Sequence, residues 1–242
     1  MAKSRKKTAK PRKSTAKRKP SPGRWLRYLW RAIFGVAIVI VALIALGRVL
    51  NPITTPYMFA ESRRLGGIDH NWVALTAIAP AMARSAVAAE DANFCNHWGF
   101  DLPAIKDAIA EGGNRGASTI SQQTVKNVYL WHGRNYTRKA LEALLTPVLE
   151  ALWPKARIVE VYLNVAEFDE GVFGVKAAAQ HYFGVSPAQL SDLQAARLAA
   201  ILPDPKRRSA SKPTDFVRKR TRAILSGAAT ISKDGRSACF ES

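Results

Sequence analysis

Residues 90–101 read Glu90-Asp91-Ala92-Asn93-Phe94-Cys95-Asn96-His97-Trp98-Gly99-Phe100-Asp101, directly after an alanine-rich stretch that opens at Pro80. Proline suits the first turn of a helix, so the spacing predicts a helix from Pro80 to about Ala89 that ends where the acids begin. Acids and a histidine gathered at a helix end are a poor place to keep charge for stability alone. A carboxylate beside apolar surface has its charged form disfavoured, and the raised pKa suits proton transfer near neutral pH. The same acids also fit a plainer role as caps or solvated surface. His97, taken alone, fits a structural hydrogen-bonder better than a base.

On either side of this stretch the pattern is helical. Asp101 reads as the N-cap of a helix over Leu102–Glu111 that Gly112-Gly113 ends. A further helix starts near Ser118 and runs to about Leu130. Leu141, Leu144, Leu145, Val148 and Leu152 form an apolar stripe on a helix stopped by Trp153-Pro154. Ser186-Pro187-Ala188-Gln189 combines an N-cap, a first-turn proline and a capping-box Gln, and Ser191 with Gln194 repeats the cap before Leu193–Leu202. Pro203 and Pro205 end that helix. No clear alternating strands appear, so the expected fold class is mostly α.

Two more polar groups stand out. In Gly116-Ala117-Ser118-Thr119-Ile120-Ser121-Gln122-Gln123-Thr124-Val125-Lys126-Asn127, Thr119, Gln123 and Lys126 fall at i, i+4 and i+7, which puts a hydroxyl, an amide and an ammonium on one helix face. A helix N-terminus with Ser and Thr hydroxyls suits an anion, although a capped, solvated face explains the same residues. Arg138 and Glu142 stand four apart in the order that stabilises a helix less, and a guanidinium with Lys139 beside it suits a diphosphate.

The 242 residues include 37 Lys and Arg against 18 Asp and Glu, a net charge of +19, but the excess is local. Residues 1–50 hold 14 basic side chains and no acid, leaving +5 for residues 51–242. Met1–Arg24 has no apolar run to offset chain entropy and reads as a disordered basic tail. Ala32–Gly47 is uncharged and, at 1.5 Å per residue, gives roughly 24 Å of helix. Trp25, Tyr28 and Trp30 at the interface, with Arg31 and Arg48 snorkelling outward, extend it to a membrane span of residues 25–50. Gly47-Arg48-Val49-Leu50 is a poor cleavage site, so the segment reads as an anchor rather than a removed signal. Basic flanks stay inside, which places the tail in the cytoplasm and everything after about residue 51 beyond it. Asn51–Phe59, with two prolines, reads as an extended linker. Residues 51–230 form the expected globular domain and 231–242 a C-terminal tail. Cys95 and Cys239 are too few for a disulfide scaffold and lack zinc-site spacing; whether they pair stays open.

Taken together, four ordered motifs resemble the peptidoglycan glycosyltransferase (transglycosylase) family, the glycan-polymerising domain of class A penicillin-binding proteins and of stand-alone enzymes. They are Glu90-Asp91-x-x-Phe94-x-x-His97-x-Gly99-x-Asp101, then Gly116-x-Ser118-Thr119-Ile120-x-Gln122-Gln123-x-x-Lys126-Asn127, then Arg138-Lys139-x-x-Glu142, then Ile158-x-Glu160-x-Tyr162-Leu163-Asn164. The run Ala195–Pro203 resembles a fifth, and coverage extends over about residues 55–225. No Ser-x-x-Lys nucleophile sits in a domain of suitable size, so the chain is similar to the monofunctional enzymes. Asp169 and Asp204 stand where the family more often has Gly and Asn, which bears on local loop geometry.

The resemblance implies a lysozyme-like α lobe with a small membrane-associated lobe, and the inner membrane as location. It implies polymerisation of lipid II onto a growing glycan chain, with inversion and release of undecaprenyl diphosphate. Glu90 is then the general base and Glu142 the second catalytic acid, on the diphosphate side. Lys126, Arg138 and Lys139 would neutralise the leaving group. Asp91, Phe94 and His97 would shape the base's surroundings, while Ser118, Thr119, Gln122, Gln123 and Asn127 would hold substrate. No protein metal site is assigned, but a divalent cation such as Mg2+ has a place at the diphosphate. Cell-wall synthesis proteins are the expected partners and nucleic acid is not. A base is needed because a sugar hydroxyl is a poor nucleophile, whereas a diphosphate leaves without a protonating acid; a glycan hydrolase would use two carboxylates. The rival readings are such a hydrolase or lytic enzyme, and a basic arm for nucleic acid.

Overall fold

The computed structural model describes residues 22–112, 116, 118–133 and 135–241. The basic tail expected over Met1–Arg24 lies outside these residues as far as position 21, and so does the helix stop expected at Gly113. Contacts divide the chain after Ile40 into two units. The first is most of helix α1, Pro22–Gly47, whose segment Trp25–Gly47 is 23 residues long, has a mean hydropathy of 2.6 and is almost wholly exposed. It is long and apolar enough to cross a membrane.

The second unit is mostly helical. Its helices are α2 (Pro56–Leu65), α3 (Pro80–Glu90), α4 (Leu102–Ala110), α5 (Ile120–Tyr129), α6 (Tyr136–Leu152), α7 (Lys155–Val165), α8 (Gly174–Phe183), α9 (Asp192–Ile201) and α10 (Asp215–Lys233). A three-stranded sheet joins β1 (Asp69–His70), β2 (Glu167–Asp169) and β3 (Val172–Phe173) in the order β1-β3-β2, parallel then antiparallel. Its strands of two and three residues are too short for an alternating pattern to show in the sequence.

Two packing seams position everything else. α7 is buried nearly all round, with Ile158, Val159, Val161, Tyr162 and Leu163 in the core, as a central helix must be. α3, α9 and α10 form the other seam. It is lined by Ala83, Ala86, Ala195, Ala196, Ala199 and Ala200, small side chains that let helix backbones approach closely. Gly174 shows why one turn needs glycine: φ is +82°, and an added Cβ would meet the Asn164 carbonyl oxygen at 2.7 Å. Asp169, beside that turn, is accommodated because its carboxylate accepts from Tyr182 Oη at 3.0 Å and from the Glu170 amide at 2.8 Å.

Four expectations change. Asn51–Phe59 is not extended throughout: Thr55 caps α2 and Pro56 takes its first turn. The helix expected from Ser118 begins at Ile120, because Thr119 is its N-cap with Gln122 completing a capping box. The expected stripe on α6 is not its buried face. Leu144 is 67% exposed, whereas Glu142, Leu145, Thr146, Leu149 and Glu150 turn inward, the two acids being paired with cations. Residues 231–242 are no separate tail, since α10 runs to Lys233 and Cys239 is disulfide-bonded to Cys95, with Phe240 buried.

Candidate active site

Glu90 is the last residue of α3, and the chain leaves the helix at Asp91, whose φ of −163° is extended. Beyond that point the backbone enters a hydrogen-bonded knot. Asp91 Oδ1 accepts from His97 Nε2 at 2.7 Å, and Oδ2 accepts from the Ile120 amide, the first of α5, at 2.9 Å. His97 Nδ1 accepts from the Gly99 amide at 3.1 Å, a pattern that assigns the proton to Nε2. Thr119 Oγ1 donates to the Gly99 carbonyl at 2.7 Å and accepts from the Gln122 amide, while Gln122 Oε1 accepts from the Thr119 amide. The end of α3 and the start of α5 are thereby tied together, with a carboxylate satisfying one helix N–H group that would otherwise be unpaired.

That knot sets the surroundings of Glu90. Gln123 Nε2 donates to its Oε2 at 3.0 Å, and Arg220 Nη2 from α10 reaches Oε1 at 3.2 Å. Tyr162 Oη, from the buried α7, donates to Gln123 Oε1 at 3.4 Å and so orients the amide. Burial pushes the Glu90 carboxyl up from its ordinary value; the Gln123 hydrogen bond and the charges of Arg220, Lys126 and Arg208 oppose the shift without cancelling it. The outcome is a carboxylate that holds a proton more readily than a surface glutamate does.

Glu90 lines a groove of about 640 Å³ together with Asn93, Asp101, Ser118, Arg208 and Arg220. A second cavity of about 320 Å³ contains Lys126, Asn127, Tyr57, His132 and Lys206. Gln123 and Pro203 border both, so Glu90 and Lys126 stand on two sides of one amide. Burial lowers the Lys126 pKa, and of the charges around it Glu142 opposes that shift most. Its ammonium has no hydrogen-bond partner among the described residues. In the second cavity Tyr57 stacks flat on His132 with ring centroids 3.5 Å apart, and donates to Glu167 Oε2 at 2.6 Å. Lys206 pairs with Glu61 at 2.9 Å and stands 5.7 Å from the Tyr57 ring centroid.

Glu142 forms a third group. It is 2% exposed, Arg138 Nη1 donates to one oxygen at 2.5 Å, and Lys139 Nζ donates to the other. Lys139 also donates to Ser118 Oγ at 3.0 Å, which ties α6 to the entry of α5. Among the described residues no group of three or more His, Cys, Asp or Glu can hold a metal ion. With both Glu142 oxygens taken by cations, these side chains do not make a preformed cation cage.

The expected site residues therefore separate. Glu90, Ser118, Gln123, Lys126 and Asn127 line the two cavities. Asp91 and Thr119 border the groove but direct their polar atoms into the knot. Phe94, His97 and Gln122 line neither cavity; Phe94 is fully buried and Gln122 caps α5. The sequence reading did not assign Arg220 to the site: with Lys206, Arg207, Arg208, Lys212, Arg218, Lys219 and Arg222 it forms a basic run that suits anionic head groups or a solvated helix face. Its signal was there: Arg220 directly precedes Thr221 in the buried stripe Val217, Thr221, Ile224, Ala228 and Ile231, at the margin of the inward face of α10.

Residues 60–229 match the family model described as Transglycosylase. The chain is 60% identical over 215 residues to the biosynthetic peptidoglycan transglycosylase of Jannaschia sp., an alignment covering 88% of this chain and 90% of that protein. It is 47% identical over 222 residues to the protein of the same name from Caulobacter vibrioides, covering 89% and 96%. With the one from Pseudomonas fluorescens it shares 46% over 224 residues, covering 87% and 93%.

Proposed function

Because the chain belongs to the transglycosylase family and is a peptidoglycan glycosyltransferase that extends glycan chains for the cell wall, we propose that Glu90 is the general base of the transfer. The acceptor is the 4-hydroxyl of the terminal N-acetylglucosamine of lipid II. Glu90 takes its proton as the oxygen attacks C1 of the growing donor chain. The C1–O bond to undecaprenyl diphosphate breaks with inversion, and the electron pair leaves on the diphosphate. The observation that carries this reading is a carboxylate with a raised pKa lining a groove of about 640 Å³, separated by a single amide from a cavity lined by a desolvated ammonium. A base with its pKa nearer the working pH transfers protons more effectively.

Lys126 is well suited to the diphosphate. Its charge has no partner to give up, and a desolvated cation gains most from an anion that grows during the reaction. Arg138 and Lys139, held by Glu142, add charge on the same side. Glu142 fixes the two cations rather than taking a proton, since its oxygens already accept from both. A divalent cation would find its ligands mainly on the diphosphate. Arg220 Nε, buried and without a partner among the described residues, is a spare donor on the acceptor side.

The inner membrane, with the N-terminus cytoplasmic and the catalytic domain outside it, is the placement that fits best. The apolar helix can span, its flank is basic, and the Cys95–Cys239 disulfide belongs in an oxidising compartment. A lipid-borne substrate also makes tethering useful, because both partners then meet in two dimensions. The deciding experiment incubates the detergent-solubilised full chain with lipid II. Polymer of increasing length is expected; cleavage of added glycan without polymer would favour a lytic enzyme instead.

A further inference from the structure

The residues after α10 do more than end the chain. Glu241 pairs with Arg84 of α3 at 3.4 Å, six residues before the base, and Arg236 Nη1 donates to the Ala92 carbonyl at 3.1 Å, two residues after it. Cys239 is bonded to Cys95 across 144 residues of sequence. Phe240, 2% exposed, packs against Phe94 with ring centroids 6.3 Å apart, and Phe94 in turn meets the edge of His97 at 6.2 Å. From the other side Lys155 Nζ sits 4.2 Å from the Phe94 ring centroid and donates to the His97 carbonyl at 2.8 Å. Within the strap, the Phe240 and Glu241 amides both donate to the Ser237 carbonyl, which gives it a shape of its own.

Apart from the Glu241–Arg84 pair, which anchors the strap to α3 itself, the contacts between the strap and the rest of the chain converge on residues 92–97, the segment between the base and the histidine that holds Asp91. That segment is irregular, with only one 3-10 turn at Phe94–Asn96, so it has few backbone hydrogen bonds to keep its shape. Yet Asp91 joins α3 to α5, and α5 presents the Gln123 amide to Glu90. A shift in the segment moves the base relative to its donor.

We infer that residues 235–241, locked by Cys95–Cys239, are a positioning strap for Glu90, so that the redox state of one disulfide outside the groove sets how well the base is aimed. This rests on Glu90 being the base. The strap touches neither substrate cavity, so its loss acts on the chemical step and leaves binding largely alone. Misplacing a catalytic group by about 1 Å can cost on the order of 100-fold in rate, and a loosened but still folded loop costs part of that.

The test uses the full chain in detergent, oxidised and then treated with dithiothreitol until two thiols titrate. Hydrogen exchange is read at amides 92–99, and kcat and KM for lipid II polymerisation are measured on both forms. Expected on reduction are faster exchange confined to that segment and the strap, and a fall in kcat of about tenfold with KM little changed. Reoxidation restores both. The double variant Cys95→Ser/Cys239→Ser should match the reduced protein; if it fails to fold, reversible reduction of the unaltered chain gives the same reading. Unchanged exchange at 92–99, or unchanged kcat with both thiols free, overturns the strap. Should the oxidised protein make no polymer, the base assignment falls instead, while the exchange comparison, which needs no turnover, still decides whether the strap holds the loop.

Discussion

Two glutamates of this site are both largely withdrawn from water, and their surroundings make opposite use of that. Glu90 meets an amide and one guanidinium at 3.2 Å, and burial prevails over both in raising its pKa. Glu142, on α6, has a cation on each oxygen and ties Arg138 and Lys139 into one unit. Desolvation alone therefore does not decide what a carboxylate is left to do. What matters is whether the neighbours leave the carboxylate under-compensated, as at Glu90, or complete it, as at Glu142.

The contrast breaks most severely at Glu90, the proposed base. Glu90→Gln keeps the shape and the Gln123 contact but removes the proton acceptor; polymerisation should fall by about 1,000-fold or more while lipid II binding, followed by fluorescence polarisation, stays near that of the unaltered protein. Turnover close to normal would move the base elsewhere. Glu142→Gln should cost on the order of 100-fold, because Arg138 and Lys139 lose the anion that aims them, and steady-state kinetics should show KM rising along with the loss in kcat. A loss confined to kcat would instead give Glu142 a direct part in the chemistry.

A smaller change sharpens the Glu90 side. Arg220 lowers the pKa of Glu90, so Arg220→Ala should raise it further. The protonated form, inactive as a base, then persists to higher pH, and the acidic limb of the kcat/KM profile should move to higher pH. An unmoved limb would mean that Arg220 serves only packing. Least of all should Thr119 matter to substrate, since its hydroxyl points into the cap. Thr119→Ala should cost about 1 kcal/mol in denaturant unfolding, and Thr119→Ser should leave KM unchanged.

Much of the frame was legible because local chemistry decides it. Pro80 opens α3, Asp101 caps α4, and the Ser191–Gln194 box starts α9, each through atoms within four residues of one another. Glu90 was readable as an acid at a helix end. The α6 stripe misled because counting leucines assumes that charge faces water, whereas Glu142 and Glu150 are buried with their cations and Leu144 faces out. The pairing of Arg220 with Glu90 and the Cys95–Cys239 bond were out of reach for another reason. Each joins positions 130 or more residues apart, and neither neighbour leaves a mark near the other in the sequence.

The alanine seam behind α3 bears on how this enzyme could be inhibited. A compound seated in the groove presses on the helix that ends at Glu90, and that helix packs on α9, where Ala195, Ala196 and Ala199 lie buried beside the larger Leu198 and Ile201; the alanines have almost nothing to trim. Glycine is the only smaller replacement, and it weakens a helix interior by about 1 kcal/mol. Escape from such a drug by loosening the wall behind the target would therefore weaken the scaffold that holds the reactive group.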